Sequence, residues 1–154
     1  MSFMPSGEPL ICDCSSDEIE RLHEIDRVCF PDYMAYSRTE LHFFLRHPFS
    51  IGKMAVAAAT ICGFAIGRCR PGSLAHVITL DVIPEARRHG VGAMLMAALH
   101  EEFRKRDCTQ VALEVAAGNS AAQRFYEALG YRRVKLLPGY YQGRQDAYHL
   151  EKLL

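Results

Sequence analysis

The 154-residue sequence has no uninterrupted run of about 18 apolar residues, and its first seven residues lack the basic and apolar segments of a secretory signal. Its 18 basic and 18 acidic residues balance, so bulk charge indicates no nucleic-acid partner. The six cysteines contain no C-x-x-C pair, and no histidine joins them at metal-ligand spacing. We therefore expect a cytoplasmic protein without a membrane partner or a metal site, in which most cysteines are small buried apolar residues.

What the chain does contain is typical of a globular protein. Hydrophobic residues make up 49% of it and charged residues 23%, and both fractions are average for soluble domains. A chain of this length can bury one core of ordinary size, whereas two domains would each be small. We therefore predict a single domain over residues 1–154.

Apolar periodicity predicts the element order β-α-α-β-β-β-α-β-α-β-β. The strands are predicted at 8–14, 54–58, 60–69, 74–82, 110–115, 131–137 and 147–153, and the helices at 15–30, 39–47, 91–107 and 119–130. The strand at 74–82 is too apolar for a sheet with one solvated face. The β-α-β step that follows it requires two parallel strands. The predicted fold class is therefore α/β, a mixed sheet with helices on both faces.

Residues 30–37 form an unusually apolar loop, with three aromatic rings, a methionine and a proline but no regular period. Such a loop either packs on the core or forms one wall of a substrate groove, because binding surfaces favour exposed aromatics. The residues alone leave both interpretations open.

The segment 82–93 joins the central strand to the third helix through basic residues and two glycines. It is either an ordinary turn with a solvated arginine pair or an anion site, in which the helix N-terminus directs unpaired N–H groups at a phosphate. It lies at the carboxyl end of the central strand, where open α/β sheets bind their ligands. It lacks the Lys-Ser/Thr of a P-loop and the third glycine of a dinucleotide fingerprint, so neither an NTPase nor a Rossmann dehydrogenase is favoured.

Three blocks, taken together, resemble the GNAT acetyltransferase superfamily and, within it, the RimI-type protein N-terminal acetyltransferases. The acyl-CoA signature of that family corresponds to residues 87–92, its next block to residues 113–122 and 125–131, and its tail to residues 139–141 with 146–147. The resemblance is nearly continuous from Leu74 onward. Before Leu74 it rests mainly on the order of the elements and on Phe30-Pro31.

The resemblance implies that acetyl-CoA is the co-substrate. It places the cofactor contacts on residues of the central strand, the loop and the fourth helix: Leu80, Asp81, Val82, Arg87, Arg88, His89, Gly90, Val91, Gly92, Ala93 and Asn119. Asn119 is also predicted to cap the fourth helix, and capping alone would explain an asparagine at this position.

The resemblance also assigns the chemistry, with Glu114 as the general base and Tyr126 as the acid that protonates the leaving thiolate. Strand alternation is consistent with a cleft-facing Glu114, because Val111, Leu113 and Val115 share the opposite face. The alternatives are a solvated strand glutamate and a core tyrosine with a satisfied hydroxyl. Direct attack by the amine needs no acyl-enzyme, which makes the cysteines weaker candidates for a nucleophile.

The acceptor groove of the family corresponds to Phe30 and Tyr36 on one side and Tyr140 and Tyr141 on the other. The alternative for Tyr140 and Tyr141 is a hairpin tip with two surface tyrosines that bind nothing. An α-amino group, with a pKa near 8, reaches its reactive form about 3 kcal/mol more easily than a lysine. A protein N-terminus is therefore the expected acceptor. The chain itself is expected to be a monomer or a weak homodimer.

The acceptor loop departs from the family pattern. Residues 141–146 are fewer than is usual there, and Gln145 replaces an acidic residue. A small-molecule amine is therefore the alternative acceptor. A CoA-binding regulatory domain without turnover is a third possibility.

Overall fold

The computed structural model describes residues 7–154. The expectation that the N-terminus carries no secretory signal falls largely on residues 1–6, outside the described part. Seven strands form one sheet in the order β1-β2-β3-β4-β5-β7-β6. The strands are β1 Leu10–Asp13, β2 Ser50–Ala57, β3 Thr60–Arg68, β4 Ala75–Val82, β5 Gln110–Ala116, β6 Arg132–Tyr141 and β7 Gln145–Leu153. The helices are α1 Ile19–Cys29, α2 Arg38–Arg46, α3 Val91–Lys105 and α4 Ser120–Ala128. The predicted element order and mixed α/β fold class are confirmed.

The sheet has two antiparallel parts joined by a parallel contact. Strands β1 to β4 pair antiparallel in chain order, and β5, β7 and β6 form a second antiparallel group. Between them, β4 and β5 run parallel and pair at two positions, Ala75 with Val111 and His76 with Ala112. Beyond those pairs the ladder stops, which leaves room between the carboxyl-terminal parts of the two strands.

Two buried clusters lie on the two faces of the sheet. The larger contains the apolar face of α3, with Leu95, Leu99 and Phe103, and the residues of β5 that alternate toward it. The smaller contains Leu22 and Ile25 of α1 with Leu41 of α2 and the facing residues of β3. A strand residue in either half of the sheet therefore points to the α3 side or to the α1 and α2 side, according to its place in the alternation.

Side-chain hydrogen bonds mark the starts of three helical segments. Ser15 forms a capping box with Glu18 before α1, and Ser37 forms another with Glu40 before α2. Asn119 caps α4 by accepting from the Ala122 N–H at 3.0 Å. These local signals work because a side-chain oxygen satisfies one of the unpaired N–H groups of the first turn.

Strands β2 and β6 extend furthest beyond their predicted limits. Strand β2 begins at Ser50 instead of residue 54, because Gly52 and Lys53 interrupt the apolar pattern but still pair with β3. Strand β6 continues to Tyr141, so the two tyrosines expected in a connecting loop lie at its end. Gly139, at φ +63°, lies within the irregular pairing that carries the strand past its proline.

Most cysteines are buried or half-buried, as expected, but two of them are bonded to each other. A disulfide joins Cys69, just after β3, to Cys108, between α3 and β5. The spacing of the two residues in the sequence gave no indication of this pairing. Across residues 7–154, no helix has both the length and the apolar character that crossing a membrane requires.

Candidate active site

The gap between β4 and β5 opens into a cavity of about 1260 Å³. Its walls come from the loop after α1, the carboxyl-terminal half of β4, the segment before α3, the end of β5 and the first turns of α4. The predicted site residues that line it are Phe30, Tyr36, Leu80, Val82, Arg87, Arg88, His89, Gly90, Val91, Gly92, Ala93, Glu114, Asn119, Tyr126 and Tyr141. Residues from three separate blocks of the sequence therefore meet in one cavity.

The N-terminus of α3 faces this cavity with unpaired N–H groups. The first bond of the helix runs from the Met94 N–H to the Gly90 carbonyl, so the N–H groups of residues 91–93 have no partner inside the helix. In the described chain α3 has no side-chain cap, in contrast to α2 and α4. Unpaired N–H groups and the positive end of the helix dipole together suit an anion such as a pyrophosphate.

The loop glycines Gly90 and Gly92 have different structural roles. Gly90 has φ +80°, a left-handed conformation that suits glycine, and a Cβ added to it would meet open space. A Cβ on Gly92 would lie 3.2 Å from the Phe125 ring. Gly92 therefore allows close packing of α3 on α4, whereas Gly90 leaves the loop open toward a ligand.

The basic residues of the loop add positive charge beside the helix N-terminus. Arg87 donates from Nε to the Val82 carbonyl at 2.9 Å, which fixes the start of the loop against the end of β4. Arg88 and His89 are exposed at the cavity wall. Their exposure leaves both side chains free to reach the phosphates of a bound cofactor.

Asp81 differs from its neighbours in β4. Leu80 and Val82 line the cavity, but the Asp81 side chain is 1% exposed and accepts from the Thr79 hydroxyl at 2.5 Å. Burial, and after it the nearby carboxyl of Asp26, raise the pKa of Asp81 well above its ordinary value. The carboxyl of Asp81 therefore belongs to the interior beside α1, away from the cavity wall.

Glu114 is held by three side chains. Its Oε1 lies 2.7 Å from Nε2 of His76 and 3.4 Å from the Tyr140 hydroxyl, and its Oε2 lies 2.6 Å from Nδ1 of His149. Burial acts to raise the pKa of Glu114, but the hydrogen bonds and charge of the two imidazoles outweigh it, and the pKa falls below its ordinary value. Glu114 is therefore a carboxylate at neutral pH.

Tyr126 reaches the cavity from α4. Its ring contacts Phe125 and Tyr131 edge to face, with centroids 5.1 Å and 5.7 Å away. Burial, with a smaller contribution from Asp81, raises the pKa of Tyr126 above its ordinary value. The hydroxyl therefore stays protonated at neutral pH and can donate a proton or a hydrogen bond.

The predicted acceptor residues lie on two segments that contact each other. Tyr36 and Tyr141 line the cavity, and Tyr140 packs edge to face on Tyr141 with centroids 4.9 Å apart. The hydroxyl of Tyr33 donates to Oε1 of Gln145 at 3.1 Å. The loop after α1 and the start of β7 are therefore connected beside the cavity.

His76 and His149 were not predicted from the sequence. Both contact Glu114 only because β4, β5 and β7 are neighbours in the sheet, with Glu114 paired directly opposite His149. Strand order and register are long-range features that a single sequence does not specify. The available signal was alternation in β7, which puts His149 on one face with Ala147 and Glu151.

Comparisons with known proteins agree with this geometry. The model of the acetyltransferase (GNAT) family matches residues 19–131. An uncharacterized N-acetyltransferase of Methanocaldococcus jannaschii is 34% identical over 134 residues, which cover 86% of this chain and 84% of that protein. An N-alpha-acetyltransferase of Saccharolobus solfataricus is 28% identical over 153 residues, covering 90% and 89%.

The fold also has a close match among solved structures. The ribosomal-protein-S18-alanine N-acetyltransferase of Escherichia coli superposes with a TM-score of 0.85 over 94% of this chain and 93% of that chain, at 23% identity. The family match over most of the chain, the similar relatives and the shared fold lead to one assignment. This protein belongs to the GNAT family of acetyltransferases.

Proposed function

We propose that the protein transfers an acetyl group from acetyl-CoA to the α-amino group of a protein or peptide N-terminus. When bound, acetyl-CoA supplies a thioester, and transfer forms the N–C bond, breaks the C–S bond, takes one proton from the amine and gives one to the thiolate. Glu114 serves as the base and Tyr126 as the acid. The observation that carries this assignment is that Glu114 and Tyr126 line one cavity together with the N-terminus of α3. The opposite directions of their pKa shifts agree with the two roles.

The cofactor fits the residues that are present. The unpaired N–H groups of residues 91–93, with Arg88 and His89 beside them, suit the pyrophosphate. Leu80 and Val82 supply an apolar wall for the rest of the cofactor. We assign these residues to binding, so that chemistry is left to Glu114 and Tyr126.

Direct transfer in a ternary complex is favoured over an acyl-enzyme. Cys29 lines the cavity, but burial, with the charge of Asp81 next, raises the pKa of its thiol to about 11. A thiol of that pKa has little thiolate at neutral pH and is a poor nucleophile. Initial rates measured while both substrates are varied should therefore give intersecting lines in a double-reciprocal plot; parallel lines would contradict direct transfer.

Similar proteins support an N-terminal acceptor, because the archaeal relative is named an N-alpha-acetyltransferase and the structural neighbour acts on an alanine of a ribosomal protein. A small-molecule amine is the second candidate. This second candidate is favoured by the hydrogen bond between Tyr33 and Gln145, because the bond joins the two segments that flank the cavity. We further propose that the chain forms a single N-acetyltransferase domain that works in the cytoplasm as a monomer or weak homodimer.

The test measures CoA release with wild-type protein, Glu114→Gln and Tyr126→Phe against an N-terminal peptide array and a panel of small amines. The proposal expects peptides to be acetylated and both variants to lose at least about 100-fold in kcat. Tyr148→Phe is the matched control, because it removes a tyrosine hydroxyl outside the cavity and keeps the ring beneath Arg133. Acetylation of small amines alone overturns the peptide assignment. Wild-type rates in both variants overturn the catalytic assignment and favour a regulatory CoA-binding domain.

A further inference from the structure

Two carboxyl side chains lie next to each other in the interior, between α1 and the central strand. Asp26 of α1 is 0% exposed and Asp81 of β4 is 1% exposed. The cavity itself is lined by Leu80 and Val82, the neighbours of Asp81, so the two carboxyls lie behind its wall. Two ionised carboxylates in contact repel each other, and burial increases the cost. We therefore expect one of the two to hold a proton.

The hydrogen bonds of the pair show where that proton fits. Oδ1 of Asp81 accepts from the Thr79 hydroxyl at 2.5 Å, and Oδ2 of Asp26 accepts from the Tyr36 N–H at 2.6 Å. The other two oxygens, Oδ2 of Asp81 and Oδ1 of Asp26, are buried and have no partner within residues 7–154. A buried polar atom without a partner is costly. One proton on Oδ2 of Asp81, donated to Oδ1 of Asp26, satisfies both oxygens.

We propose that Asp81 is a carboxylic acid that donates a hydrogen bond to the carboxylate of Asp26, and that this pair holds the acceptor wall, the loop of residues 30–37, against β4. The shared proton links β4 to α1, and the Tyr36 N–H links α1 to the acceptor wall. Asp26 and Asp81 are positioning residues, because Tyr36 is the member of this chain of contacts that lines the cavity. Their effect on acceptor binding rests on the proposed acetyl transfer.

Tyr36 is the point at which the pair acts on the cavity. Besides its N–H contact with Asp26, its hydroxyl donates to the Ile78 carbonyl of β4 at 3.5 Å. Its ring packs edge to face on Phe44 of α2, with centroids 5.0 Å apart. The side chain is thus placed by β4 and α2, whereas the backbone of the acceptor wall is held by Asp26. Loss of the pair should therefore loosen the acceptor wall and leave the N-terminus of α3 in place.

The charged and titratable groups around the pair come from α1, the acceptor wall, the loop before α3, and α4. Burial, then the hydrogen bond and charge of Asp26, raise the pKa of Asp81, whereas the Thr79 hydroxyl and the charge of Arg87 act to lower it. The raised pKa agrees with a proton on Asp81. Burial, together with neighbouring charges that include Asp81, raises the pKa of three further groups: Cys29, Tyr36 and Tyr126.

Asp81→Asn separates the proton from the hydrogen bond, because the amide donates to Asp26 but does not titrate in this range. In the unfolded wild type Asp81 loses its proton near about pH 3.9, whereas the folded protein keeps it to higher pH. The wild type therefore loses stability relative to the variant as the pH rises. The ratio of the unfolding constants, wild type over variant, should increase about tenfold per pH unit between about pH 5 and pH 6. Urea unfolding at several pH values measures this ratio.

Asp17→Asn is the matched control, because Asp17 is exposed and lies before α1. Its ratio to the wild type should not change with pH over the same range. A ratio for Asp81→Asn that is equally flat overturns the shared proton.

Asp81→Leu tests the positioning role. Leucine keeps the branching of the side chain but donates nothing, so Asp26 becomes a buried charge that lacks one partner, and opening of the acceptor wall lets water reach it. The KM of the acceptor should rise about tenfold in Asp81→Leu and stay within about threefold of the wild type in Asp81→Asn. The KM of acetyl-CoA should stay within about threefold in both, whereas a general structural defect would move both KM values. Equal acceptor KM values in the Leu and Asn variants overturn the positioning role.

Hydrogen exchange of the Tyr36 amide tests the same contact without a substrate. This amide should exchange about tenfold faster in Asp81→Leu than in the wild type or Asp81→Asn, and an unchanged rate overturns the proposal. If small amines are the acceptors, the KM is measured with them, and the peptide assignment fails while the pair is still decided. If nothing is acetylated, the proposed function fails, and exchange and unfolding decide the pair. If Asp81→Leu does not fold, the pH dependence of Asp81→Asn decides it.

Discussion

The hydroxyl of Tyr33 donates to Oε1 of Gln145 at 3.1 Å, which joins the loop after α1 to the start of β7. Arg144 reinforces this contact, with its guanidinium 5.6 Å from the centre of the Tyr33 ring. A Cβ added to Gly118 would lie 2.6 Å from the Gln145 amide nitrogen, so Gln145 also packs closely over the segment after β5. One glutamine therefore links three segments beside the cavity.

Tyr33→Phe removes the hydrogen bond and keeps the ring under Arg144. A neutral hydrogen bond contributes about 1 kcal/mol, so we expect a change of roughly fivefold in the KM of the acceptor. The KM of acetyl-CoA is the internal control and should stay within twofold, because the α3 N-terminus is untouched. Steady-state kinetics with both substrates varied provides the measurement. Equal shifts in both KM values would contradict a role confined to the acceptor side.

Arg88→Ala tests the cofactor loop. Arg88 has φ +64°, and alanine is as restricted there as arginine, so the backbone should not relax. Loss of one exposed cation beside a pyrophosphate should raise the KM of acetyl-CoA by roughly 5-fold and change kcat by less than twofold. Arg132→Ala, an exposed arginine on β6, is the matched control. A defect confined to kcat would show that the cofactor site is misassigned.

Gly67→Ala tests the packing of α3 on the sheet. A Cβ at Gly67 would lie 2.6 Å from the tip of the fully buried Phe103 ring. The added methyl group should lower the free energy of unfolding by about 1–3 kcal/mol. Adding Phe103→Leu opens space, so the double variant should be more stable than the sum of the two single effects predicts. Urea unfolding of the four proteins measures this coupling, and strict additivity would mean that the ring is not the obstacle.

His100 makes the stability depend on pH. It hydrogen-bonds the Tyr131 hydroxyl at 2.7 Å, and burial, then the charge of Lys152, lowers its pKa from 6.5 to about 4. The unfolded chain therefore binds this proton first as the pH falls. The free energy of unfolding should decrease from about pH 6.5 toward pH 4, by at most about 3 kcal/mol from this residue. His100→Gln should flatten this part of the curve in urea unfolding at several pH values; an equally steep curve would contradict the assignment.

The sequence was most informative where structure is local. The cap at Asn119 acts within four residues and is present as predicted, and the caps that the structure shows at Ser15 and Ser37 are equally local. The β-α-β step was also predictable, because the apolar strand and the amphipathic helix both have strong periods. The limits of β2 and β6 were less predictable, since pairing with a neighbouring strand extends them past a glycine or a proline.

The candidate site was predictable only in its separate parts. The Gly loop, Glu114 and Tyr126 stood out by motif, and all of them line one cavity. Asp81 was expected at the cofactor, but its side chain is buried beside α1. The bulge between β3 and β4 explains this burial. Gly67 pairs with Val77 and Ile66 pairs with Thr79, so Ile78 has no partner in β3. Beyond Ile78, the alternation of β4 side chains between the two faces of the sheet is therefore reversed.

The parallel contact between β4 and β5 has a consequence for how the molecule opens. Two residue pairs join the antiparallel group β1 to β4 to the group β5 to β7, and α3 packs mainly on the first group. Cooperative units of native proteins often follow such boundaries. In hydrogen exchange, we expect the amides of the two groups to open with different free energies. A ligand that fills the gap between β4 and β5 should make the two groups open together, with one free energy. Binding at the site should then be measurable by hydrogen exchange in the interior of both half-sheets, far from the ligand.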